Sequence, residues 1–405
     1  MNGSKWQYGT LGFYATEVLL WLAIFSFLFL YCKKIFVERK EKIKFSWSKD
    51  RVFILSVLVF LVYCFASVFW SLDTAVALQQ SFHIMEAFLL FFVLYLGLVD
   101  WKRAAQWFVA GAVLQSAFGI YQFLTQSTFA FKWLGLVVHP VMEAGTSVIV
   151  GDGIGRVLRA YGAFSHPNVF GGYLAITIFV TLYLLFQDKK NKVLFGALFL
   201  QLIALFFTFS RSAWLAVGVV LVGLCVYFIK TKKWNYTKII LSCFVFGAVL
   251  SALYFPLVHT RVAHQSSHEI RSTEERVGGI KEGIQIWKTA PMLGVGVGNY
   301  TAASYKQNPT RPGYEYQPVH NVPLLVLSEF GVLGGGLLLL IVVTFFRLLP
   351  KDKKAFFFAS IFIFGLLSIF DHYLYSSYIG ILVSGIYFVF TCSVDRRIDK
   401  MSSKE

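Results

Sequence analysis

The chain has 405 residues and a formal net charge of +16, yet only 14% of its residues are charged and 57% are apolar. That balance excludes an ordinary soluble globular domain, and the absence of Walker-type and kinase-type motifs argues against a nucleotide-driven enzyme. The excess positive charge fits membrane topology and contact with anionic lipid, and gives no reason to invoke nucleic acid as a partner.

Eleven apolar runs follow one another, at about 10–31, 52–70, 80–98, 104–125, 166–186, 193–209, 212–229, 238–256, 321–346, 355–370 and 375–393. Each is long enough to cross a hydrocarbon core of ~30 Å, so the expected fold is all-α, a polytopic integral membrane helix bundle forming a single domain over 1–405. The first run is too long and too aromatic for a cleaved signal peptide and reads as retained. Alternate connections hold 25 of the 37 Lys and Arg residues, which places them in the cytoplasm, with the N-terminus outside and the C-terminus inside. Nineteen of those 25 are lysine, whereas seven of the 12 on the outer side are arginine: Arg156, Arg159, Arg211, Arg261, Arg271, Arg276 and Arg311. A guanidinium group is a planar fork suited to phosphate oxygens, so this bias points to an anionic substrate outside. Cys32, Cys64, Cys225, Cys243 and Cys392 fall within or at the ends of spans without metal-ligand spacing and read as small apolar residues.

Two connections are long, 126–165 and 257–320, and both lie on the outer side. The first carries Arg156 and Arg159 and leads through His166-Pro167-Asn168, a turn signal, into the fifth span. Arg211 lies between two spans joined by almost nothing, where a charge is expensive unless it faces a polar cavity. In 257–320, Ser272 and Glu275 have capping-box spacing, which predicts a helix from about Thr273 to Pro291. Val277, Ile280, Ile284 and Trp287 form an apolar stripe there, with Arg276 on the same side and turned inward. Gly294, Gly296 and Gly298 follow at alternate positions and read as a tight turn rather than a phosphate loop. His320, with Asn321 beside it, opens the ninth span as a candidate proton acceptor, and Glu329 lies deeper in the same span. Asp371-His372-Tyr373 occupies the last outer turn. No Asp-x-Asp pair occurs among the outer acids, so no metal site is expected and phosphate charge falls to the arginines.

Taken together, these residues resemble the O-antigen ligase and polymerase superfamily of bacterial envelope glycosyltransferases. The resemblance covers roughly 155–385 and rests on Arg159, Gly162, His166-Pro167-Asn168, Ser210-Arg211-Ser212-Ala213-Trp214, Arg276 with Trp287, the Pro291 to Gly296 turn and His320-Asn321. Ten residues separate His320 from Gly331, a spacing associated with the ligases. The resemblance implies a multi-pass protein of the bacterial inner membrane with twelve spans against the eleven counted, and a periplasmic 257–320 segment roofing the active site. It implies glycan transfer from undecaprenyl pyrophosphate to a lipid A core sugar, without cofactor, metal or nucleic acid. Membrane lipids would be the remaining partners. His320 would be the base and Arg211 and Arg276 would hold the pyrophosphate, while Arg159, Asn168, Asn321 and Asp371 would line the site. A polymerase using a second lipid-linked glycan as acceptor is the alternative within the family. A flippase for lipid-linked glycans is the alternative outside it, disfavoured because the spans hold few acids and no basic residue.

Overall fold

Apolar runs of this length satisfy their backbone N–H and C=O groups by closing helices, and the computed structural model bears this out. It describes residues 7–36, 47–95, 99–132, 135–143, 145–151, 153–263, 267–349 and 354–392. The helices begin with α1 (Ala15–Phe36), α2 (Trp47–Ala66), α3 (Thr74–Tyr95) and α4 (Trp101–Thr125). A hairpin, β1 (Val148–Gly151) and β2 (Gly155–Leu158), precedes α5 (Pro167–Gln187), α6 (Lys192–Phe207), α7 (Arg211–Lys230), α8 (Trp234–Leu253) and α9 (Phe255–Val262). The remainder are α10 (Ser267–Thr289), α11 (Tyr300–Gln307), α12 (Val322–Leu348), α13 (Lys354–Phe370), α14 (Tyr373–Ser376) and α15 (Tyr378–Cys392). Seven of these are long and apolar enough to cross a membrane, and four shorter apolar helices account for the remaining expected spans.

The chain divides into two compact units, one of residues 1–101, 276–357 and 368–405, the other of 102–275 and 358–367. In the first, α3 packs against α15 and α2 against α12, and Phe53 sits 5.3 Å from Phe345 and 5.7 Å from Phe91 between ring centroids. In the second, α5 packs against α6 and α7. Its sequence is apolar on every face, and almost every side chain from Phe170 to Phe186 is buried, as expected of a central helix.

Two expectations about the long connections change. The helix predicted from Thr273 begins at Ser267, so the Ser272–Glu275 spacing lies inside it. Ser267 is itself a cap-type residue, and Glu269 supplies the acid favoured in a first turn. The stripe Val277, Ile280 and Ile284 is exposed; the buried face runs through Gly283 and Ile286 instead. Glycine explains the shift: a Cβ at Gly283 would meet Leu324 Cδ2 at 2.8 Å, so only a helix bare at that position approaches α12 so closely. The hairpin in 126–165 was not foreseen, although Val148-Ile149-Val150 followed by Gly151-Asp152-Gly153 carries both a β-branched run and a turn signal.

The Gly294, Gly296, Gly298 segment has a structural task. Helix α12 breaks at Gly331 (φ 62°, ψ −170°), and residues 291–296 run alongside the break. Val295 and Gly296 donate to the Ser328 and Glu329 carbonyls at 2.9 and 3.1 Å, while Val332 and Leu333 donate to Pro291 and Met292 at 2.9 and 3.1 Å. These bonds replace those lost within the helix, as buried backbone groups require. Glu329 completes the joint: its carboxylate accepts the Gly298 N–H (2.7 Å), the Tyr300 N–H (3.1 Å) and the Tyr375 hydroxyl. It thereby satisfies the first amide of α11, a role for a negative group at a helix N-terminus. The broken first half of α12 thus carries His320 and Asn321 on a rigid support.

Candidate functional site

Asn321 is the N-cap of α12; its side-chain oxygen accepts the Leu324 N–H at 2.9 Å, and its amide nitrogen donates to the Ile369 carbonyl at 3.2 Å. This ties the start of α12 to the end of α13 and fixes the residue before the cap, His320. The His320 Nδ1 lies 3.2 Å from Asp371 Oδ1, and the imidazole remains about one-third exposed. An ionised carboxylate only accepts, so Nδ1 carries the proton and Nε2 presents a lone pair. Asp371 Oδ1 also accepts the His372 N–H at 2.8 Å, and the His372 ring lies 4.8 Å from that of His320. The His372 Nδ1 in turn meets Ser376 Oγ at 2.5 Å.

Burial alone would raise the Asp371 carboxyl, but the His320 hydrogen bond, both neighbouring imidazoles and the His372 amide outweigh it and hold the group well below the usual carboxylate range. For His372, burial is again the largest influence and lowers it to about 4, with Asp371 pulling upward and His320 pushing downward. Folded His372 is therefore neutral at pH 7 and refuses a proton that the unfolded chain takes up below about 6.5. Stability should fall as pH drops from about 6.5 to 4, and fall further below Asp371's unfolded value of 3.8 as its stabilised carboxylate is protonated. A His372→Gln variant should flatten the first part of that curve in Tm measured in detergent, and an unchanged curve would remove His372 as its cause.

His320, Asp371 and His372 together offer three metal-ligand atoms within 4.8 Å of one another, a cluster the sequence reading did not foresee. Asp371 Oδ1 already accepts from two groups, and the Nδ1 atoms of both histidines are engaged, to Asp371 and Ser376. An ion would have to displace these bonds. The arrangement suits a base with its orienting carboxylate better than a cation site.

Arg276 belongs to the same unit as His320 and is half-buried on α10. It lies one turn before Gly279, where a Cβ would come 3.9 Å from Val319, the neighbour of His320. Arg276 forms no ion pair among the described residues. Arg311 differs: it bonds Glu282 at 2.9 Å, which also accepts from Ser304, and so joins the 300–311 region to α10.

In the second unit, α6 and α7 are joined by Thr208, Phe209 and Ser210, all buried, with Phe209 at φ 47°. Arg211 is the first residue of α7 and half-buried. Arg159 is only 3% exposed and donates to three protein oxygens: Thr208 carbonyl (2.6 Å), Ser147 Oγ (2.7 Å) and Asn168 Oδ1 (2.8 Å). Arg159 and Asn168, expected as substrate contacts, thus engage each other and brace the Arg211 turn. Arg261 donates through Nε to the Phe209 carbonyl at 2.9 Å. Arg156 bonds the Val141 and Glu143 carbonyls and holds the 141–156 loop, while the side chain of Arg271 lies outside the described residues.

Residues 196–339, from α6 through the first half of α12 and beyond its break, match the family model described as Wzy_C, O-antigen ligase. The matched segment contains Arg211, Arg261, Arg276, His320 and the Gly294–Gly331 joint; Asp371 lies beyond it. No curated protein matches the chain.

Proposed function

The chain belongs to the O-antigen ligase superfamily, and from that premise we propose that it transfers a glycan from undecaprenyl pyrophosphate to a sugar hydroxyl of a lipid A core. Membership and the apolar helices make it a multi-pass bacterial membrane protein with ligase- or polymerase-type function. The proposal adds the donor, the acceptor and an active site on the periplasmic side of the inner membrane. Its chief support is the contact between His320 Nδ1 and the buried Asp371. His320 Nε2 takes the proton of the acceptor hydroxyl as that oxygen bonds to the anomeric carbon. The bond from that carbon to the diphosphate oxygen breaks on the opposite side, and the electron pair leaves with undecaprenyl pyrophosphate. Direct displacement inverts the anomeric centre. The leaving diphosphate gains negative charge, which fixed guanidinium groups stabilise most when it is fully developed. Arg276 and Arg211 take that role, and Arg159 and Asn168 serve it by fixing the turn from which Arg211 projects.

Purified protein supplied with lipid-linked donor and a core-lipid acceptor should form glycosylated core with inverted linkage, at the same rate with and without EDTA. Loss of turnover on chelation would overturn the metal-free base mechanism. Extension of lipid-linked glycan in preference to core glycosylation would make the protein a polymerase.

A further inference from the structure

We infer that Arg261 is a further contact for the diphosphate of the lipid-linked substrate, acting beside Arg211 at the start of α7. The inference rests on the proposed diphosphate role of Arg211 and on packing within the second unit alone. Arg261 closes α9 and reaches the turn between α6 and α7, where its Nε donates to the Phe209 carbonyl at 2.9 Å. Phe209 is two residues before Arg211, so this bond brings a second guanidinium group to the place where α7 begins. Arg159 reaches the preceding carbonyl, that of Thr208, at 2.6 Å.

Three arginines therefore converge on four consecutive residues, and they are not equivalent. Arg159 uses Nε, Nη1 and Nη2 on protein oxygens and is nearly inaccessible. Arg211 and Arg261 are half-buried, and the bond that anchors Arg261 to the turn uses only Nε. The terminal nitrogens lie on the other side of the planar fork, the edge that pairs two oxygens at once. A carbonyl needs only a neutral donor. Two additional full charges at the positive end of a 20-residue helix exceed that need and repel one another unless an anion joins them. The α7 N-cap is consistent with a shared ligand, because Ser210 makes no side-chain capping bond to the first-turn amides. A diphosphate, with two or more charges and several oxygens in a small volume, matches such a set of donors.

The probe is undecaprenyl pyrophosphate in detergent micelles, titrated by intrinsic fluorescence against full-length protein, with inorganic pyrophosphate as competitor and Tm recorded for each variant. Arg261→Gln should weaken binding about tenfold to a hundredfold, as loss of a charged, forked contact does, with Tm close to wild type. Arg261→Lys keeps the charge and loses the fork, and should fall between the two. Both variants should show a shallower salt dependence of affinity, which a brace on the Phe209 carbonyl would not produce. If Arg211→Gln binds weakly while Arg261→Gln binds as wild type, the inference is overturned and the diphosphate role of Arg211 stands. Wild-type binding by both variants would overturn that role itself. Should Arg261→Gln fail to fold, wild-type affinity in Arg261→Lys would be equally decisive against the inference.

Discussion

His320→Ala should reduce the turnover of lipid-linked donor by roughly 10²- to 10⁴-fold while leaving donor affinity unchanged, the range expected when a general base is removed. Asp371→Asn is the sharper companion. Asp371 is buried and bonded to His320 Nδ1, so it fixes the tautomer that leaves Nε2 free. An amide can donate as well as accept, and by donating to Nδ1 it shifts the proton to Nε2, where it blocks the base. Asn still accepts the His372 N–H, so the protein should remain folded and lose turnover by a factor approaching that of His320→Ala. Turnover of the two variants from one donor preparation, with Tm as a check on folding, decides the matter. Unchanged turnover in His320→Ala would sink the base assignment, and unchanged turnover in Asp371→Asn alone would confine Asp371 to structure.

The second large effect falls on the glycine joint. A Cβ at Gly294 would sit 2.2 Å from the Glu329 carbonyl oxygen, and one at Gly331 would sit 2.3 Å from that of Met292. Both positions have positive φ, 72° and 62°, where an L residue already costs ~1–2 kcal/mol. The obstacle in each case is backbone, which cannot swing aside. Gly294→Ala and Gly331→Ala should each cost about 4 kcal/mol or more and yield little monodisperse protein. Gly336 lies in the same helix with open space at its Cβ position, and Gly336→Ala should be neutral or slightly stabilising. Near-normal Tm in Gly294→Ala would mean that the joint relaxes and that α12 does not depend on it.

Much of this protein was legible in its sequence. Apolar length alone gave the membrane helices, because a backbone in hydrocarbon must satisfy itself locally. The arginine bias singled out Arg211 and Arg276, and His320-Asn321 appeared as the start of a helix with Asn321 as a natural cap. The pairing of His320 with Asp371 was not legible, since 51 residues separate them and only packing decides which outer turns meet. The same holds for Arg159 and Arg261. Their sequence gives a charge near a span; the tertiary structure decides that one is consumed by three protein oxygens and that the other reaches the Phe209 carbonyl. The alternating glycines show the division most plainly. Sequence determines that Gly294, Gly296 and Gly298 can turn tightly, because they lack a Cβ. Only the fold decides that the space so freed is filled by the broken backbone of α12, since close approach of two main chains is a property of both partners.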